Sequence, residues 1–190
     1  MRRAVTAAVL VAGIAFAAQG AWIHVKASLA QLLLEMSWRA ARAGRPAVKP
    51  WPWADTHAVA RLEVGGKSVI VLSGASGRTM AFGPGHVDGT ALPGRPGNCV
   101  ITAHRDTHFA ALRDVVAGDT LILHTAGGQR IAYEAKRMMV VGDNETWVME
   151  DDGTDRLTLI TCYPFDAVIP GGPLRYVVIG ERPAPSPFTG

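Results

Sequence analysis

Arg156-Leu157-Thr158-Leu159-Ile160-Thr161-Cys162-Tyr163-Pro164 is the stretch from which the fold can be read. Leu157, Leu159 and Thr161 alternate with Thr158, Ile160 and Cys162, and the run is rich in β-branched residues, so it predicts a half-buried strand. Pro164 has no N–H to give to a ladder and marks the strand's end. A thiol at the end of a core strand is rigidly held yet can reach solvent, which suits a nucleophile. Cysteine is also among the residues most often buried for purely structural reasons, and the local context alone leaves both readings open.

Further runs of this kind occur at 57–63, 67–72, 98–103, 119–124, 129–134, 136–141 and 174–180. Turn signals such as Gly65-Gly66, Gly118-Asp119, Gly127-Gly128 and Gly171-Gly172 separate many of them. Eight short strands with this spacing predict a mainly β fold, a closed barrel or a sandwich. Short helices are expected near 78–84 and 107–114. The 190 residues suit one domain with an appendage, and the 48% hydrophobic content provides for a core with apolar material to spare. The 21 Gly and 12 Pro argue against a helix bundle. A net charge of +3 with no dense Lys/Arg stripe makes nucleic acid a poor partner. Two cysteines, Cys99 and Cys162, are too few for a disulfide framework or a zinc ribbon.

The spare apolar material lies at the N-terminus. After Met1-Arg2-Arg3 the chain is apolar from Ala4 to Ile23 apart from Gln19. As a helix that run spans ~30 Å, the thickness of a bilayer core. Ala15-Phe16-Ala17 also fits a signal-peptide cleavage site. The helical pattern does not stop there, however, and continues through Leu29, Leu32, Leu33 and Met36 to Arg39 and Arg42, which favours an uncleaved anchor. Arg2 and Arg3 would stay cytoplasmic. The expected layout is an anchor with a helical extension at 1–42, a Pro/Trp-rich connector at 43–56, the barrel at 57–182 and a flexible tail at 183–190. The tail's Ser186-Pro187-Phe188-Thr189-Gly190 is read as a terminus without function.

Two more residues stand where an apolar strand meets polar sequence. His104 follows Cys99-Val100-Ile101-Thr102-Ala103, and Arg175 opens the apolar run after Gly172-Pro173-Leu174. Each can be read as a solvated or satisfied side chain, or as a catalytic group if it shares a cleft with Cys162. His104 and His108 also have the i, i+4 spacing of zinc helices. The segment lacks the Glu that metalloprotease chemistry needs, and no third ligand stands out, so no metal and no cofactor is expected. The acidic run with Asp143, Glu145, Glu150, Asp151, Asp152 and Asp155 lacks calcium-loop spacing and reads as a solvated loop. Asp106 could orient the His104 ring. Cys99 is either a small core residue or the partner of Cys162 in an inactivating disulfide.

Taken together, these segments resemble the sortase family. Thr158-Leu159-Ile160-Thr161-Cys162 matches that family's Thr-Leu-x-Thr-Cys signature, Ala103-His104-Arg105-Asp106 is similar to its histidine segment, and Arg175 falls on the last strand in the family's order of His, Cys, Arg. Gly83-Pro84-Gly85-His86 with Pro93-Gly94 and Pro96-Gly97-Asn98 resembles its Gly/Pro-rich lead-in to the histidine strand. Thr161-Cys162-Tyr163-Pro164-Phe165, Ile169-Pro170-Gly171-Gly172-Pro173 and the 49–56 connector are most similar to sortases of Gram-negative bacteria, chiefly proteobacteria. The resemblance implies a closed eight-stranded sortase-type β-barrel behind a transmembrane helix, with Cys162 as nucleophile, His104 as its acid–base partner and Arg175 as the third catalytic group. Thr161 and Ala103, their immediate neighbours, are expected to contact the bound peptide. It further implies cleavage of a Leu-Pro-x-Thr-Gly-like sorting signal between Thr and Gly and transfer to an amine acceptor, possible peptidoglycan chemistry included. The enzyme would be a single-pass protein of the cytoplasmic membrane facing outward. A cysteine hydrolase using water, or an inactive peptide-binding barrel, are the alternatives the sequence leaves open.

Overall fold

The computed structural model describes residues 2–45, 47–169 and 171–183. Pro170 and the tail 184–190, with the Ser186–Gly190 segment read above, lie outside the described residues.

Helix α1 runs from Arg2 to Arg42. The strands are β1 (Ala58–Val64), β2 (Lys67–Ser73), β3 (Gly85–His86), β4 (Asn98–Thr102), β5 (Thr120–Thr125), β6 (Arg130–Gly142), β7 (Arg156–Tyr163) and β8 (Leu174–Glu181). A short helix α2 (Gly77–Met80) and 3-10 turns at Ala110–Asp114 and Thr146–Met149 complete the set. The strands close into a barrel in the order β1-β2-β3-β4-β7-β8-β6-β5. The expected count of eight is met by different elements. The runs 129–134 and 136–141 form one strand, β6, and the break between them is a bulge at Ala135/Arg137 rather than a turn. The eighth strand is β3, two residues that carry no alternation to read.

Three neighbouring strands form the wall that matters for function. β4 pairs with β7 in parallel, and β7 pairs with β8 antiparallel. Alternation gives this wall two apolar faces. Cys99, Ile101, Leu157, Leu159 and Val178 point into the barrel, where Leu62, Leu121, Leu123, Phe109 and Tyr133 meet them. Val100, Ile160, Val177 and Ile179 point outward and join Val141 and Val148 in a second cluster. That outer cluster exists because the long β6–β7 connection folds back over the wall.

Asn98 fastens the connection. Its Nδ2 donates to the carbonyls of Val148 (3.0 Å) and Glu150 (3.1 Å), and its Oδ1 accepts the Thr158 hydroxyl at 2.7 Å. Both side chains are fully buried, and the bonds to Val148 O and from the Thr158 hydroxyl form away from water, where an unmade one is costly.

Helix α1 does two different things along its length. Towards its C-terminal end Leu34, Trp38 and Ala41 are buried against the barrel. Ser37 ties the helix down by donating to Val48 O and accepting the Ala58 N–H at 3.2 Å. Trp38 lies between the Arg42 and Arg61 guanidiniums, and Glu35 pairs with Arg61. Towards its N-terminal end Val9, Leu10, Val11, Ile14 and Phe16 are all exposed. α1 is long and apolar enough to cross a membrane.

Replacing Thr158 by Val should cost about 1–3 kcal/mol, since the Asn98 amide loses a buried partner. Asn98→Ala should cost more and speed hydrogen exchange selectively in 143–155. Denaturant melts and exchange mass spectrometry check both; unchanged exchange in that loop would contradict the fastening role.

Candidate active site

The site follows from strand register. Along the parallel pair, Asn98 stands opposite Arg156 and Thr102 opposite Ile160. The ladder continues one residue further, with the Ala103 N–H donating to Ile160 O at 3.2 Å. The same offset carried to residue 104 sets His104 beside Cys162. On the other side, Cys162 is the register partner of Arg175 in the β7–β8 ladder. His104, Cys162 and Arg175 therefore form a lateral row across three adjacent chain segments, each step about 5 Å. By parity all three share the outward face of Ile160 and Val177. Val141 of β6 stands opposite Arg175 and extends that face by one strand.

All three side chains line a cleft of about 300 Å³. Ile160 and Val141 lie on its floor, Thr146, Val148 and Met149 come from the β6–β7 connection, and Met80 and Val87 contribute from elsewhere. The lining is largely apolar around a few polar groups, as is usual for a ligand cleft. Cys162 and Arg175 are half-buried and His104 is exposed.

Thr161 and Ala103 also contribute to the lining, yet both are nearly fully buried. The Thr161 hydroxyl donates to Ala103 O at 2.7 Å, and the Thr102 hydroxyl donates to Ile160 O at 3.0 Å. These bonds fix the chain immediately before His104 to the chain immediately before Cys162. Arg175 is held as well. Its Nη1 donates to Gly172 O at 2.7 Å and Leu174 O at 2.9 Å, and its Nη2 lies 3.6 Å from Asp143 Oδ2. The Asp143 N–H in turn donates to Pro173 O at 2.7 Å.

Other sequence candidates lie elsewhere. His108 lines a separate cleft with Gln31, Glu35, Arg61 and Phe82. Burial, and secondarily the charge of His104, hold its imidazole below the ordinary value. Residues 105–109 are turns rather than a helix, so the i, i+4 spacing does not build a zinc face. Among the described residues no group of three His, Cys, Asp or Glu could hold a metal. Asp106 is exposed and is absent from the cleft lining. The acidic run shapes its own loop: Asp151 and Asp152 accept the Gly153 and Thr154 N–H groups, Asp155 accepts the Gly97 N–H, and Asp152 and Asp155 pair with Arg156 and Arg182.

Of the two readings of Cys99, the register favours the core residue over the disulfide with Cys162. Cys99 stands opposite Leu157, five residues before Cys162 and so about 16 Å along the strand. It also faces the barrel interior, whereas Cys162 faces out. A disulfide requires Cα atoms within about 7 Å, and both thiols are free. Burial pushes the Cys99 thiol up to about 12.

Sequence reading assigned no role to Asp143 or Arg105. Asp143 meets Arg175 only because β6 and β8 pair in a particular register, and nothing local announces it. Arg105 sits inside the histidine segment, and its burial, with 8% of its surface exposed, is the sign that it acts on the protein rather than on solvent.

In the native protein at neutral pH, iodoacetamide should add one group, at Cys162, and a second only after unfolding. Intact and peptide mass spectrometry read this directly. Equal labelling of both cysteines in the folded state would contradict the opposed faces.

Comparison with known proteins bears on the same region. Residues 61–183 match the sortase domain family. Sortase D of Bacillus subtilis (strain 168) is 29% identical over 113 residues, 59% of this chain and 56% of its own length. This chain thus spans just over half of that relative. Sortase A from Corynebacterium diphtheriae superposes with a TM-score of 0.62 at 29% identity, over 72% of this chain and 66% of that one. Sortase C-1 from Actinomyces oris gives 0.60 at 31% identity, over 66% and 71%. The Clostridium perfringens Sortase D5 transpeptidase gives 0.67 over 83% of this chain and 99% of that one, and at 20% identity it speaks to the fold alone. The matched residues run from within β1 past the end of β8 and take in the whole cleft wall of β4, β7 and β8, so this chain belongs to the sortase family.

Proposed function

We propose that this protein is a membrane-anchored cysteine transpeptidase that cleaves a Leu-Pro-x-Thr-Gly-like C-terminal sorting signal between Thr and Gly and passes the acyl group to an amine. The observation that carries the proposal is the row of His104, Cys162 and Arg175 on adjacent segments of one cleft. The apolar lining by Met80, Val87, Val148, Met149 and Ile160 suits an aliphatic side chain such as the Leu of that signal.

The cycle needs only these three groups. The Cys162 thiolate attacks the Thr carbonyl carbon, forming the C–S bond and placing charge on the carbonyl oxygen. An arginine has five N–H donors. Two on Nη1 face Gly172 and Leu174 and one on Nη2 faces Asp143, which leaves Nε and the second Nη2 hydrogen for the oxyanion. Protonated His104 gives its proton to the Gly nitrogen as the C–N bond breaks, and the acyl group remains as a thioester. The incoming amine then attacks the thioester carbon, neutral His104 accepts its proton, and the Cys162 thiolate leaves. A thiolate is needed at the outset, and a free thiol, with a pKa of ~8.5, is only slightly ionised at neutral pH; a neighbouring imidazolium favours ionisation. Thr161 and Ala103, buried and bonded to each other, are read as positioning groups beside the substrate path.

Helix α1 supports a location at the membrane. Arg2 and Arg3 remain cytoplasmic, the apolar turns cross the bilayer, and the barrel stands on the outer face of the cytoplasmic membrane. Trp53, 83% exposed, and Trp51 lie in a cleft with Lys26 and Leu29, just beyond the span, where tryptophans commonly meet a membrane interface. The Tyr163-Pro164-Phe165 run and the 49–56 connector extend the proposal to the Gram-negative subtype, with an envelope amine, peptidoglycan-derived or other, as acceptor.

Full-length protein in detergent, given a library of Leu-Pro-x-Thr-Gly peptides, should gain the mass of the peptide through Thr, and an added amine should discharge it as an amide. Cys162→Ala should abolish the adduct. Arg175→Ala should slow its formation by about 10²–10³. Discharge by water alone would favour a hydrolase, and no adduct on a folded protein would refute the proposal.

A further inference from the structure

Arg105 follows His104 directly, yet its side chain is directed away from solvent and into the protein, with 8% of the residue exposed. A buried guanidinium is costly unless its donors are answered. Here Nη2 donates to two carbonyls of the β7–β8 loop, Ala167 O at 3.0 Å and Ile169 O at 3.2 Å. Nη1 is buried without a hydrogen-bond partner among the described residues. Among the described residues no carboxylate pairs with it, so its contribution is to hold backbone.

The held loop, 164–173, is packed at its start, where the Phe165 ring lies against Tyr176 and the barrel core, but not at its tip. Val168 and Ile169 at its tip are 96% and 80% exposed, so apolar packing does not fix them. The far end of the same loop supplies Gly172 O, which orients Arg175, and Pro173 O, which accepts the Asp143 N–H. One short loop is thus gripped by Arg105 at its middle, at residues 167 and 169, and grips Arg175 near its far end. No hydrogen bond or ion pair joins the two arginines among the described residues, and the loop is the connection between them.

We propose that Arg105 is a positioning residue for the transfer reaction: by clamping the Ala167 and Ile169 carbonyls it fixes the β7–β8 loop, and through Gly172 it sets the angle at which Arg175 meets the substrate carbonyl. This rests on the catalytic reading of Arg175 given above. The forked guanidinium is suited to the task because its donors are rigid and coplanar and can bridge two carbonyls; a lysine ammonium is a single compact charge on a flexible stem. Displacing a polarising group by about 1 Å can cost about 10²-fold in rate even when the change lies away from the chemistry.

The test is a double-mutant cycle on full-length protein in detergent, reading the rate of acylation by a Leu-Pro-x-Thr-Gly peptide alongside the rate of Cys162 alkylation by iodoacetamide. R105Q should slow acylation by about 10² while leaving alkylation unchanged, because alkylation needs the thiolate but no oxyanion donor. R105Q/R175A should be no slower than R175A alone, since a positioning residue has nothing left to position. R105K should recover part of the loss. If R105Q does not fold, as a circular dichroism melt would reveal, the same cycle is run with R105K. A double mutant slower than R175A by the full single-variant factor overturns the inference while the catalytic reading stands. Slowed alkylation in R105Q or R105K overturns it too, showing a general disturbance of the site. Normal acylation in R175A overturns the catalytic reading and this inference with it.

Discussion

The parallel pairing of β4 with β7 is the constraint on which the rest depends. Strands that pair in parallel cannot be joined by a tight turn, and here more than fifty residues separate the partners, as in the Thr102–Ile160 bond. Everything between them has to be accommodated elsewhere: β5 and β6 complete the barrel, and the 143–155 connection folds over the outer face. The reward of that topology is a fixed lateral relation between two chain ends. His104 and Cys162 lie just past or at the ends of their paired strands, and the Thr161 hydroxyl bonded to Ala103 O keeps those ends from fraying apart. A pair of side chains assembled this way inherits the rigidity of a barrel wall, although its members sit where backbone pairing stops and solvent begins.

Two apolar layers on one wall explain why the site is a cleft rather than a flat sheet. The inner layer is an ordinary barrel core. The outer layer of Val100, Val141, Ile160, Val177 and Ile179 is covered in part by Val148 and Met149 from the connection. Covering it raises a wall beside Cys162 and leaves uncovered only the end of the strip where the reactive groups lie. Asn98 holds this cover with two hydrogen bonds and is itself fixed to the wall by the Thr158 hydroxyl. Stability and substrate shape are therefore coupled through one side chain that touches neither the thiol nor the histidine.

Much of this was legible in the sequence, and the parts that were not have a common cause. Alternation in 156–162 and 98–103 locates the strands, because one face of each must be apolar, and it places Cys162 and His104 at strand ends. β3 was invisible since two residues have no period. The β6 bulge read as a gap because an extra residue interrupts alternation in the same way as a turn. The choice between core residue and disulfide partner for Cys99 needed the register: sequence gives the spacing along each strand but not the offset between strands, and that offset puts Cys99 opposite Leu157, facing inward in the core. Asp143 beside Arg175, and Arg105 on the β7–β8 loop, are products of the same unseen offsets.

The most direct measurement of the central claim is a crystal structure of the full-length protein with Cys162 alkylated by a peptidyl chloromethyl ketone ending in threonine. The oxygen beside the modified carbon then stands where the oxyanion of the reaction would stand. If the row of three groups works as a unit, that oxygen lies about 3 Å from an Arg175 nitrogen, with the His104 ring on the side where the leaving amine would depart. An oxygen turned away from Arg175, with the guanidinium still bound only to Gly172, Leu174 and Asp143, would contradict the account.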